Sequence, residues 1–241
     1  LHDVLALGDH ALVDFLRPGE DRPIQKAPLV LCRCDQCGLV QLRDQVRPEL
    51  LYGVDQGTTY WYRSSGSKTM RRHLNNLAVR LWQDVDLRPG DIMVDVGCND
   101  GFMLMVYPND VMRVGYEPGP ALALEARRRG LTVFNALFSA EPYDRLFVQR
   151  AKLITAIFMF YDVPDPVRFC WDVAHLLASD GLFVIQLNDL ASMIGNTAFD
   201  MIGHEHQAYY TVPTLEYALS QAGLRLFRVE CATYSDPCYD G

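Results

Sequence analysis

The order of apolar and polar residues predicts strands alternating with helices from about residue 69 onward. Between residues 74 and 85, apolar side chains recur at the spacing of one helix face, and this stripe ends before residues 88–90, Arg-Pro-Gly. The pattern then predicts strands at 92–96, 113–117, 132–134, 153–158, 182–187 and 224–230, and helices at 101–106, 120–129, 166–178 and 213–222. Such alternation is typical of a parallel sheet covered on both faces, with a ligand outside the carboxyl ends of its strands.

The first part of the chain has a different pattern. Two short apolar runs, at 29–31 and 39–42, flank the turn Cys34-Asp35-Gln36-Cys37-Gly38, which is typical of a zinc knuckle. We therefore predict a small N-terminal module at 1–58 and an α/β domain at 59–230. Residues 231–241 have no regular pattern, and we expect them to begin a further domain.

Composition and charge exclude several classes of protein. The chain has 241 residues, 49% of them hydrophobic, and its 30 acidic residues outnumber 22 basic ones. We expect neither a nucleic-acid partner nor a membrane segment. Seven cysteines, an odd number in a long chain, favour a reducing cytoplasm over a disulfide framework. The chain starts at Leu1 with no visible signal peptide, so we expect a fragment.

The strongest chemical signal is the turn DVGCNDG at 95–101, between a predicted strand and a predicted helix. Gly97 permits a tight turn and a close ligand, and Gly101 lets the helix pack near the strand. Glu117 ends the next predicted strand, where a carboxylate can accept hydrogen bonds from both hydroxyls of a ribose.

Two cofactors compete for this turn. A dinucleotide needs GxGxxG, whereas the spacing here is GxxxG, and carboxylates at Asp95 and Asp100 would repel a pyrophosphate. They suit a cationic ligand such as S-adenosylmethionine. A plain tight turn between strand and helix is the remaining interpretation.

The segment His204-Glu205-His206 is a second candidate site, with Tyr209 and Tyr210 close behind. A metal site is disfavoured because successive residues of an extended segment point to opposite faces. Acid–base chemistry fits better, since a neutral His is a plausible base near pH 7 and a Tyr hydroxyl can stabilise an enolate oxygen. A structural polar loop is the other interpretation.

Five motifs in this order resemble the S-adenosylmethionine-dependent sugar C-methyltransferases, which act on 4-keto deoxysugar nucleotides in deoxysugar and antibiotic biosynthesis. They are CDQCGLVQ at 34–41, YWYRSSGS at 60–67, DVGCNDG at 95–101, MFYDVPDP at 159–166 and HEHQAYY at 204–210. The resemblance implies a class I methyltransferase fold, Rossmann-like, with an N-terminal zinc-binding module and a C-terminal domain that is missing here.

The resemblance also implies roles for individual residues. His206 is expected to be the general base and Glu205 to assist it, while Tyr62, with Tyr60 as the alternative, reaches the sugar. The residues expected to bind S-adenosylmethionine are Asp95, Gly97, Asn99, Gly101, Glu117 and Phe160. Two positions depart from the family pattern: Gly203 stands where some members have Tyr or Cys, and Asp162 where some have His.

The sequence supplies only part of the expected zinc site. Structural zinc needs four ligands, and only Cys34 and Cys37 have the right spacing. The resemblance implies a second pair of cysteines upstream of Leu1, so an unliganded pair is the alternative for this chain.

The leading hypothesis is C-methylation of a nucleotide sugar through proton abstraction and an enolate. An O- or N-methyltransferase on another small molecule is the second hypothesis, and a non-catalytic zinc-ribbon and Rossmann interaction protein is the third. A dehydrogenase ranks last because of the glycine spacing.

Overall fold

Two β-sheets organise the chain in a computed structural model that describes residues 1–12, 18–21, 23–52, 60 and 62–231. The strands are β1 His2–Ala11, β2 Lys26–Arg33, β3 Val40–Leu42, β4 Ile92–Val96, β5 Met112–Tyr116, β6 Thr132–Phe134, β7 Ala151–Ile157, β8 Leu177–Gln186 and β9 Ala208–Tyr209. The helices are α1 Pro48–Leu51, α2 Lys68–Val85, α3 Pro120–Arg128, α4 Ala140–Asp144, α5 Pro166–Leu176, α6 Leu190–Gly195 and α7 Val212–Gln221. No described helix is both long enough and apolar enough to cross a membrane.

The larger sheet is parallel, with strand order β6-β5-β4-β7-β8. Every residue of β4 is buried, which explains why the central strand is a nearly continuous apolar run. Helix α2 is capped at its N-terminus by Ser67, whose side chain accepts a hydrogen bond from the Met70 amide. The predicted α/β fold with a parallel sheet is confirmed.

Two predicted elements are wrong. The helix expected at 101–106 is only a single 3₁₀ turn, Leu104–Val106, because Gly101 takes φ +78° at its start and a left-handed residue does not begin a helix. The strand expected at 224–230 has no ladder partner among the described strands. It leaves Phe227 exposed and is tied to α2 through the Arg80–Glu230 and Arg228–Asp84 ion pairs. The local sequence pattern predicts an extended segment, but it does not show whether a neighbouring strand is present to pair with it.

The smaller sheet joins the two predicted domains. Its strand order is β1-β2-β3-β9, so its last strand comes from the far end of the chain. Val40 pairs with Tyr209 and Gln41 with Ala208. The N-terminal module is therefore not a separate sheet, and the segment around His206 lies at its edge.

Candidate active site

The turn after β4 is tightly packed and lines a cavity. Gly97 has φ +70°, and the amides of Gly97 and Cys98 both donate to the Tyr116 carbonyl at 2.9 Å. A Cβ on Gly97 would lie 3.0 Å from Cγ of Met159. Glycine is therefore required here both by the left-handed backbone and by the close neighbour.

Asp95 and Glu117 lie buried on either side of this turn. Asp95 accepts a hydrogen bond from Thr155 Oγ1 at 2.6 Å, and Glu117 accepts from the amides of Asn99 at 2.9 Å and Gly119 at 2.7 Å. Burial raises the pKa of each carboxyl to about 7. Within the described ranges neither carboxyl has a cationic partner, so a positively charged ligand with hydroxyl donors fits between them.

Asn99 ties the segment at 62–65 to the glycine turn. Its Oδ1 accepts from the Ser64 amide at 2.9 Å, and its Nδ2 donates to the Tyr62 carbonyl at 3.1 Å. Asn99 itself has φ +53°, a conformation that Asn tolerates better than most residues. The predicted tyrosine segment and the predicted cofactor turn are thus one unit, although Trp61 lies outside the described residues.

Asp100 and Gly101 have structural surroundings. The Asp100 carboxylate is fully buried, lies 3.5 Å from Arg129 and accepts from the amides of Ser65 and Phe102 at 3.2 Å. The expectation that Asp100 favours a cationic ligand is therefore wrong, because its charge is already paired. A Cβ on Gly101 would lie 2.4 Å from Leu131 Cδ1, so Gly101 permits close packing rather than ligand contact.

Phe160 lies in the core instead of facing a ligand. It has 0% exposure, and its ring packs against Phe169 at 5.4 Å and Tyr210 at 5.2 Å between centroids. The expectation that Phe160 binds the cofactor is corrected, because the ring has no accessible surface to offer. The preceding residue, Met159, faces Gly97 instead.

The geometry around His206 fixes its tautomer. Its Nδ1 lies 2.6 Å from the Met201 carbonyl oxygen, and a carbonyl can only accept, so Nδ1 carries the hydrogen. Nε2 is then the unprotonated nitrogen of the neutral ring. Burial lowers the pKa of His206, although the Met201 carbonyl opposes the shift, and the ring packs at a tilt against Tyr161, with 4.3 Å between centroids. His206 can therefore accept a proton near neutral pH.

Acids and phenols gather around Glu205, the residue before His206. Burial and mutual repulsion raise the pKa values of Tyr52, Tyr60, Tyr161 and Asp162, with Glu205 contributing to each. Burial also raises the pKa of Glu205. The structure thus brings Tyr60 and Glu205 together, as predicted, and adds Tyr52 and Asp162, which the sequence analysis did not assign. Asp162 was detectable as a polar residue soon after a strand, whereas no local pattern marks Tyr52.

The cysteine turn has the backbone of a metal knuckle. Gly38 donates to the Cys34 carbonyl and Cys34 to the Leu39 carbonyl, both at 2.9 Å. Hydrogen bonds from the amides of Cys37 and Gln36 lower the pKa of Cys34, which favours the thiolate that zinc requires. Among the described residues no three His, Cys, Asp or Glu side chains are grouped to hold a metal. Cys34 and Cys37 therefore fit half of a zinc site.

A parallel sheet with a glycine turn after its central strand, and an acid at the end of the next strand, defines a class I methyltransferase. The chain belongs to the methyltransferase family: a family model described as a methyltransferase domain matches residues 66–229. A second model, described as a putative zinc binding domain, matches residues 1–52. These matches support S-adenosylmethionine as cofactor and the zinc-module interpretation of the N-terminal part.

Curated relatives agree with the resemblance seen in the sequence. The chain is 30% identical over 235 residues to the C-methyltransferase NovU of Streptomyces niveus, covering 95% of this chain and 55% of that protein. It is 29% identical over 134 residues to an uncharacterised protein of Mycobacterium tuberculosis, covering 52% and 45%. The chain spans about half the length of the curated relatives that it matches.

Solved structures share the fold. The mycolic acid cyclopropane synthase CmaA1 is 18% identical, with a TM-score of 0.54 over 73% of this chain and 70% of that one. The magnesium protoporphyrin IX methyltransferase of Synechocystis is 12% identical, with a TM-score of 0.51 over 73% and 85%. At these identities the likeness supports the fold and says nothing of the substrate.

Proposed function

We propose that the chain is the catalytic part of an S-adenosylmethionine-dependent C-methyltransferase that acts on a 4-keto deoxysugar nucleotide. The observation that carries the proposal is the hydrogen bond from His206 Nδ1 to the Met201 carbonyl at 2.6 Å. It leaves an unprotonated Nε2 on a largely buried ring that packs against Tyr161. O- and N-methylation remove no proton from carbon, so exchange of a carbon-bound proton with solvent distinguishes them from C-methylation.

The residues around the glycine turn fit the cofactor. Gly97 lines the same cavity as Asp95 and Glu117, Glu117 has oxygen lone pairs for ribose hydroxyls, and Asp95 adds a buried carboxyl. Asn99 holds this turn against the tyrosine segment. When bound, S-adenosylmethionine supplies an electrophilic methyl group.

His206 performs the proton transfer in this proposal. The C–H bond next to the ketone breaks, the proton passes to His206 Nε2, and the electron pair moves onto the ketone oxygen as an enolate. A neutral base with a lowered pKa suits this step near pH 7. The enolate carbon would then bond to the methyl group as the S–CH₃ bond breaks, its electron pair would stay on sulfur to leave S-adenosylhomocysteine, and the ketone would form again.

Glu205 and one tyrosine position the sugar. Tyr60 is favoured over Tyr62, because the charges of Glu205, Asp162 and Glu117 all affect the Tyr60 hydroxyl. For the Tyr62 hydroxyl, burial and the charge of Asp100 raise the pKa. A phenol surrounded by acids stays protonated and donates a hydrogen bond to a sugar oxygen.

The remaining parts of the proposal concern partners. Cys34 and Cys37 supply two ligands of a structural zinc, with two more needed from outside the described residues. The substrate is a small nucleotide sugar, and we place the protein in the cytoplasm because of its free cysteines.

The test is solvent exchange without the cofactor. We expect thymidine diphosphate 4-keto-6-deoxyglucose in D₂O to gain deuterium next to the ketone when the wild-type chain is added. We expect His206→Asn to lower the exchange rate by about 10²- to 10⁴-fold. His175→Asn, a surface histidine paired with Asp144, is the matched control and should exchange at the wild-type rate.

Mass spectrometry then locates the methyl group. With S-adenosylmethionine present, a gain of one methyl on carbon supports the proposal. A methyl group on oxygen or nitrogen, or exchange that survives His206→Asn, would overturn it.

A further inference from the structure

Asp162 has a buried oxygen without a hydrogen-bond partner among the described residues. Asp162 ends the 3₁₀ turn Phe160–Asp162 soon after β7, and the buried atom is its Oδ1. The buried Tyr52 hydroxyl lies beside the same carboxyl and interacts with it by hydrogen bonding. Buried polar groups are almost always satisfied, so the unpartnered Asp162 oxygen indicates a place where a ligand supplies the partner.

The surroundings of Asp162 contain acids and phenols. From the elements packed against it come Tyr52 after α1, Tyr60, Glu205 before β9, and Tyr209 in β9. Burial and the charge of Glu205 raise the pKa of Asp162 well above its ordinary value, and the nearby Tyr52 hydroxyl opposes this only in part. No described Lys or Arg pairs with the Asp162 carboxyl. The neutral acid is therefore the stable form of this group.

We propose that Asp162 is a catalytic residue that works as a neutral carboxylic acid and donates a hydrogen bond to the ketone oxygen of the substrate, with Tyr52 as a second donor. This inference rests on the proposed function. As His206 removes the proton from carbon, charge develops on the ketone oxygen, and two fixed donors stabilise it. The Asp162 proton stays shared with that oxygen and remains on Asp162 when the ketone forms again.

Asparagine and alanine at position 162 separate this role from others. Asp162→Asn keeps a neutral hydrogen-bond donor of the same size, whereas Asp162→Ala removes it. If Asp162 acted as an ionised carboxylate, both variants would fail equally. Because either variant removes a buried acid with an unpaired oxygen, neither is expected to destabilise the fold.

The experiment measures deuterium exchange into thymidine diphosphate 4-keto-6-deoxyglucose without S-adenosylmethionine. We expect Asp162→Asn to stay within about tenfold of wild type and Asp162→Ala to lose about 10²- to 10³-fold. We expect the wild-type rate to fall at alkaline pH as Asp162 loses its proton, and this fall to be absent in Asp162→Asn. Tyr52→Phe should lose about tenfold at every pH below that fall.

Three results would overturn the inference, and they differ in what they say about the proposed function. If wild type exchanges and Asp162→Asn is as slow as Asp162→Ala, the donor role fails while the C-methyltransferase proposal stands. If the exchange rate of Asp162→Asn still falls at alkaline pH, the donor role also fails and the C-methyltransferase proposal stands. This result does not depend on the stability of Asp162→Ala. If wild type does not exchange although it binds S-adenosylhomocysteine in calorimetry, both proposals fail together.

Discussion

Val40 of β3 and Tyr209 of β9 face each other in an antiparallel pair. Val40 lies three residues after Cys37, and Tyr209 lies three residues after His206. The cysteine turn and the segment that carries the candidate base are therefore joined by one strand pair. His204 strengthens the connection, because its Nε2 lies 3.1 Å from the Ala27 carbonyl of β2. The N-terminal sheet thus holds the loop that carries the candidate base in place.

Tyr209→Phe should loosen the base loop. The Tyr209 hydroxyl accepts a hydrogen bond from the Gly203 amide at 3.3 Å, which closes the loop around His206. Its loss should cost about 0.5–1.5 kcal/mol of unfolding free energy and lower the exchange rate about three- to tenfold. Calorimetry with S-adenosylhomocysteine should show unchanged affinity. Tyr217→Phe, at a tyrosine that is 48% exposed, is the control, and an equal effect there would refute the role of the loop.

Gly97→Ala should weaken cofactor binding. The added Cβ would meet Met159 Cγ at 3.0 Å on a backbone with φ +70°, at a strain cost of about 1–2 kcal/mol. We expect the affinity for S-adenosylhomocysteine to fall at least about tenfold in calorimetry, and Gly97→Arg to abolish binding. Gly195→Ala has open space around it and should bind as wild type does. Wild-type affinity in Gly97→Ala would show that the ligand does not approach this turn.

Asn99→Ala and Asn99→Gly separate the effect of the Asn99 side-chain hydrogen bonds from the effect of its left-handed backbone conformation. Both remove the side chain that holds the Ser64 amide and the Tyr62 carbonyl, so both should lower S-adenosylhomocysteine affinity about five- to tenfold. Only alanine is strained by φ +53°, at about 1 kcal/mol of unfolding free energy. Urea denaturation and calorimetry measure the two effects. Equal stability of the two variants would contradict the backbone argument.

We expect ionisation of the Glu117 carboxyl to lower the stability of the ligand-free protein as the pH rises. Burial raises its pKa from 4.5 to about 7, so the folded state holds a proton that the unfolded state has lost. The stabilising contribution is fully present below about pH 4.5 and disappears as the pH passes 7. Glu117→Gln should remove this dependence, by at most about 3 kcal/mol between pH 4.5 and 8.

Urea denaturation at several pH values tests the expectation. Burial also raises the pKa of Asp95. The unfolding free energy of Glu117→Gln should therefore still fall as the pH rises, but with a smaller slope. The exposed Glu141, paired with Arg145 at the surface, gives the control Glu141→Gln, which should keep the wild-type slope. If Glu117→Gln also keeps that slope, the Glu117 carboxyl is ionised in the folded protein.

Local sequence predicted those elements whose stability depends on nearby residues. Helix α2 follows from its apolar stripe, and its buried residues Leu74, Leu77 and Leu81 belong to that stripe. The turn at Gly97 was also predictable, because a strand, a glycine pair and a later acid lie at a fixed spacing. The helix expected at 101–106 failed because Gly101 takes φ +78°, a left-handed conformation that apolar periodicity does not predict.

The sequence by itself determined the parallel sheet and the glycine turn with Asp95 and Glu117, and its family resemblance singled out His206 as the candidate base. Only the tertiary structure decided that the Tyr52 hydroxyl lies beside a buried Asp162 oxygen without a partner among the described residues and that Phe160 is core. It also placed β9 beside β3. The physical reason is range: periodicity and turn chemistry act over a few residues, whereas burial and strand pairing depend on segments far apart in the sequence.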